Sequence, residues 1–94
     1  MKKVYIIVTD DSTTLSALMA NIPSLGNYYA LYNNQCLLFC DINSSKEVYD
    51  KFASWGYDGK RMVVFELSKS DDAYWGFSDK SLWEWLKIVY SDLN

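Results

Sequence analysis

Histidine is absent from this chain. Without it there is no Ser/His/Asp or Cys/His catalytic pair, no histidine metal site and no histidine pH switch. Cations are scarce: nine Lys and Arg stand against twelve Asp and Glu, a formal net charge of -3. Dedicated nucleic-acid binders draw most of their affinity from neutralising phosphates, so this balance disfavours a nucleic-acid partner. Long apolar runs are missing too. Lys2 and Lys3 begin like a signal peptide, but the run at residues 4–8 is only five residues long before Thr9, Asp10 and Asp11 end it. A secretory core needs ~7–15 apolar residues, and a bilayer span about 20. A cytoplasmic protein with no membrane segment is expected. Cysteine is limited to Cys36 and Cys40. Four apart in a strand, they lie ~13 Å from one another, beyond the ~7 Å that a disulfide bridges. They read as buried, space-filling thiols.

What is present is a globular composition. Half of the residues are hydrophobic and 22% are charged, which excludes a disordered chain. Nothing divides residues 1–94 by linker, repeat or low-complexity stretch, so one domain is expected. Residues 4–8 are apolar and rich in β-branched types, the pattern of a strand covered on both faces. Asp10, Asp11 and Ser12 are all helix N-cap types. Leu15, Leu18, Met19 and Ile22 follow at helical spacing, and Pro23 and Gly26 end that helix. Residues 28–32 suit an edge strand, Asn33-Asn34 a tight turn, and residues 36–40 a second fully apolar strand. Ser44 to Glu47 fits a capping box, opening a helix with Val48, Phe52 and Trp55 on one face and Gly56 as its stop. Residues 62–67 form a fourth strand. After a polar loop and the cap candidate Ser78, Leu82, Trp85, Leu86 and Val89 make the stripe of a last helix.

The order β-α-β-β-α-β with an appended helix is the α+β, ferredoxin-like plan. Its four strands lie antiparallel in the order 4-1-3-2, and its central strands are the two with unbroken apolar runs. Tyr5 and Ile7 point opposite to Val4, Ile6 and Val8. Two helices cover one face of such a sheet. The other must be covered by the last helix, with its Trp83 and Trp85, or by a second copy of the chain; a homodimer is expected either to bury that face or to extend the sheet edge to edge through the fourth strand.

Four stretches together resemble a known family: residues 4–10, the aromatic Tyr28-Tyr29, residues 40–48, and residues 62–67 followed by 73–77. The closing segment 82–86 is similar as well. The chain resembles the SinR-like small bacterial proteins, relatives of the ferredoxin-fold small subunit of the CRISPR spacer-integration complex and of VapD-type toxins. That resemblance implies a ferredoxin-like homodimer. Some relatives are metal-dependent ribonucleases that use an Asp at the end of the first strand from each protomer. Asp10 matches that position, with Asp11 as its near alternative. The basic residues that accompany nuclease and DNA-binding relatives are sparse here.

Asp10 is therefore the candidate catalytic residue, and Asp10 and Asp11 are candidate Mg²⁺ ligands. A helix N-terminus favours carboxylates that gather Mg²⁺ with water and phosphate oxygens. The competing role for either is to cap the first helix. Lys60 and Arg61, with Tyr57 and Trp55 nearby, form a basic-aromatic cluster able to touch a phosphate or stack a base, or to act as a solvated strand edge. Aromatic residues make up 17% of the chain. Trp55 and Trp85 are expected in the core, and Trp75 and Trp83 at an interface. The candidate binding residues are Trp75, Trp83, Lys60, Arg61, Tyr5 and Ile7. The leading expectation is a small dimeric binding module with no cofactor, acting on a protein partner as an antitoxin, immunity or anti-defence factor. The alternative is a Mg²⁺-dependent endoribonuclease built on Asp10 of two protomers.

Overall fold

Strand β1 (Lys3–Thr9) has a strand on each side and helices above and below, which accounts for its apolar run. In the computed structural model, which describes residues 2–70, 76 and 79–93, β1 pairs with β3 (Gln35–Cys40) and with β4 (Met62–Leu67). Strand β2 (Gly26–Tyr32) pairs with the far side of β3, so the order is β2-β3-β1-β4, antiparallel throughout. With α1 (Ser12–Met19), α2 (Ser45–Phe52) and α3 (Lys80–Leu93), the described residues make an α+β fold compatible with a ferredoxin-like plan.

Side chains alternate along a strand. Tyr5 and Ile7 of β1 and Leu38 of β3 face one way, where Leu15 and Leu18 of α1 and Val48 and Phe52 of α2 pack on them. Val4 of β1 and Leu37 and Phe39 of β3 face the other way, against Leu82, Leu86, Val89 and Tyr90 of α3. Each fully buried side chain of this size contributes ~1.5–3 kcal/mol, so the central strands hold helices on both sides.

One sequence reading is corrected by this packing. Tyr5 and Ile7 are wholly buried beneath α1 and α2, so neither presents surface to a partner. The Tyr5 hydroxyl donates to the Ile42 carbonyl, and burial pushes its pKa up to about 12. On the second face α3 of the same chain packs over the central strands, the first of the two coverings expected for it.

Local signals explain the element ends. Ser44 caps α2: its hydroxyl oxygen accepts from the Glu47 amide at 3.1 Å. Gly56 takes φ 96° in the wide turn that follows α2, a conformation that favours glycine. Helix α1 stops at Met19, and a short 3-10 turn (Ile22–Ser24) containing Pro23 still keeps Ile22 buried. Gly26 starts β2. A Cβ there would lie 2.3 Å from the Phe39 carbonyl oxygen, so glycine is what lets β2 approach β3. Cys36 and Cys40 are buried free thiols, and burial pushes the Cys36 pKa up to about 11.

Candidate functional site

The antiparallel register of β1 and β4 sets Thr9 opposite Met62 and so brings the end of one strand to the start of the other. Thr9 is anchored by the tight turn: its amide donates to the Asn34 carbonyl at 2.9 Å, and the Asn34 side-chain amide returns a bond to the Thr9 carbonyl at 3.0 Å. The Asp10 amide then donates to the Arg61 carbonyl at 3.3 Å. The two acidic residues and the two basic residues thus share one corner of the sheet.

Within that corner the two carboxylates differ. Asp11 caps α1, its Oδ1 accepting from the Thr14 amide at 2.6 Å. That bond first, and one from the Thr14 side chain next, hold its carboxyl below the usual range against the opposing effect of burial; the Asp10 side chain and the Lys60 charge add smaller lowering effects. Asp10 is exposed and, with Arg61, Val8 and Val63, lines a shallow depression at the edge.

This donor set does not fit a metal centre within one chain. A protein-bound Mg²⁺ wants near-octahedral oxygen ligands, one or two of them carboxylates. The Asp11 carboxylate is engaged by its helix, and Lys60 and Arg61 offer competing positive charge. Among the described residues no group of three or more His, Cys, Asp or Glu could hold a metal ion.

Beside the corner lies an apolar strip. The cross-strand pairs Ile6–Phe65 and Val8–Val63 put four apolar side chains together on the α3 face of the sheet. Ile6 and Val8 are half-buried, whereas Phe65 is 55% and Val63 52% exposed. Helix α3 leaves them uncovered because its first half is tied toward the opposite edge. The Tyr29 and Ser81 hydroxyls share a bond of 2.6 Å, and the Trp85 indole donates to the Asn27 side-chain oxygen at 3.1 Å.

The other sequence candidates are dispersed. Lys60 and Arg61 are exposed just ahead of β4. Trp83 and Trp85 are both half-buried flanks of α3 packed on the sheet. Trp55 packs on Phe52, with ring centroids 5.7 Å apart, as core. Trp75 and the cap candidate Ser78 lie outside the described residues. Sequence reasoning missed the strip of Ile6, Val8, Val63 and Phe65. Its signal was available: β4 is apolar on both faces, an excess for an edge strand. No helix among the described residues is long and apolar enough to cross a membrane. Comparison with known proteins finds no matching family model, no matching curated protein and no matching solved structure.

Proposed function

We propose that this protein is a small, acidic, cytoplasmic binding module of ferredoxin-like plan, strand order 4-1-3-2 with an appended C-terminal helix, that acts through protein contacts. An antitoxin, immunity or anti-defence role suits that reading. One observation carries it: the exposed apolar pair Val63 and Phe65 on an edge strand, bordered by Asp10 and Arg61. Apolar surface at a free strand edge with a charged rim is the chemistry of a protein interface.

A photoreactive amino acid in place of Phe65 tests the reading. It should crosslink to protein inside producing cells, while the same group at the exposed Lys87 should not. Equal labelling at both positions would sink the proposal.

A second reading is favoured by the exposure of Asp10, which leaves capping to Asp11. It is the Mg²⁺-dependent endoribonuclease suggested by the resemblance to SinR-like proteins, with Asp10 contributed by two protomers. RNA cleavage by the wild type in Mg²⁺ that disappears in Asp10→Ala would establish it in place of the binding module.

A further inference from the structure

We infer that the partner of the β4 edge is a second copy of this chain, docked by antiparallel β4–β4 pairing centred on Val63. The inference rests on the binding-module reading and names its partner.

The backbone of this edge is poised for pairing. Hydrogen-bonded and non-hydrogen-bonded pairs alternate along an antiparallel ladder. The bond from the Asp10 amide to the Arg61 carbonyl makes residues 61, 63, 65 and 67 the ones that bond β1. The N–H and C=O groups of Met62, Val64 and Glu66 therefore point away from the sheet. Edge strands are usually guarded by bulges, prolines or charges. The β1–β4 register is unbroken, and within β4 only Glu66 is charged, an exposed carboxylate that also reaches Lys3 of β1 at 3.4 Å.

Side chains select the occupant and the register. In a two-fold pair centred on Val63, that residue meets its own copy. Lys60 then lies opposite Glu66 of the partner subunit, and Arg61 opposite Phe65 of the partner subunit. Both contacts recur across the axis. Opposite charges facing one another stabilise a strand pair, and a guanidinium is attracted to an aromatic face. Other centres lose this match. Centring on Met62 would set Glu66 against Asp58 of the partner subunit, and centring on Val64 would set it against Met62 of the partner subunit.

The same geometry separates the two Asp10 residues. Asp10 is level with Arg61, and Arg61 lies away from its own copy by the spacing from 61 to 65, roughly 13 Å of strand. Carboxylates that far apart cannot ligate one Mg²⁺. This dimer and a nuclease centre shared by two Asp10 side chains exclude each other.

Charge exchange tests the inference. Full-length Lys60→Glu and Glu66→Lys are each sedimented alone and as an equimolar mixture, after thermal melts confirm that both fold. Alone, each variant sets like charges opposite one another at both ends of the interface and should dimerise roughly tenfold more weakly than wild type. Mixed, they should recover most of the wild-type association, because both charged pairs across the axis are again opposite and only the Lys3–Glu66 pair within one of the two chains is lost. Val63→Lys, which places two lysines on the axis, should abolish the dimer. A monomeric wild type at high micromolar concentration, or a mixture no better than its components, overturns the proposal. If the wild type is monomeric but position 65 still crosslinks to a different protein, the second-copy inference fails and the binding-module reading survives.

Discussion

Strands β2 and β4 are both edge strands, yet α3 leans over only one of them. On the β2 side, α3 makes the Tyr29–Ser81 and Trp85–Asn27 bonds, and the Tyr29 and Trp85 rings lie 6.0 Å apart. A register shift between Ala30 and Tyr32 also interrupts the β2–β3 ladder. On the β4 side, α3 reaches the chain just past the strand, where the Tyr90 hydroxyl donates to the Ser68 carbonyl at 2.8 Å. The strand itself stays in register with β1 and exposed at Val63 and Phe65. One helix cannot shield a whole four-stranded face, so its tilt decides at which edge the apolar side chains of that face are covered and at which they stay exposed.

Breaking the covered side should cost the most. Trp85→Ala removes a half-buried ring and its bond to Asn27, and is expected to lower stability by about 3 kcal/mol in urea denaturation. Gly26→Ala comes next. Its Cβ would collide with the Phe39 carbonyl oxygen, and a loss of about 2 kcal/mol is expected from the strand being pushed away. The open side should tolerate change. Phe65→Ser, assayed at low protein concentration, should shift stability by no more than about 0.5 kcal/mol. A loss comparable to that of Trp85→Ala would mean that β4 is as finished as β2.

The smallest effect concerns the corner where the β4 edge begins. The Asp11 carboxyl titrates lower in the folded chain than its ordinary value of 3.8. A group depressed by folding contributes stability above that ordinary value and loses it as pH falls through the folded value. Asp11→Asn keeps a capping oxygen but does not titrate. Acid unfolding profiles should therefore show a shallower decline below pH 3.8 for the variant than for wild type. Identical profiles would deny Asp11 its role.

Much of the fold was legible because apolar alternation and cap chemistry act locally. Residues 4–8 and 36–40 announced strands buried on both faces, and Ser44 announced the start of α2. Which helix covers which face was not legible, since all three helices carry apolar stripes; Tyr5 and Ile7 were misassigned to a partner for that reason. Asp10 and Asp11 are equivalent as cap types, and only the path of the chain into α1 turns Asp11 toward the Thr14 amide. Gly26 reads as a helix stop, while its closeness to the Phe39 carbonyl is a tertiary fact. The corner of Asp10 and Arg61 and the strip of Ile6, Val8, Val63 and Phe65 depend on the β1–β4 register. Residues so distant along the chain carry no local sign of being neighbours.

Amide hydrogen exchange compares the two edges most directly. By the alternation of ladder bonds, the Val64 amide points outward from β4 and the Tyr28 amide outward from β2. If β4 pairs with a second copy, Val64 should become protected as protein concentration rises, while Tyr28 exchanges at one rate throughout. Val64 exchanging as fast as Tyr28 at every concentration would contradict the account.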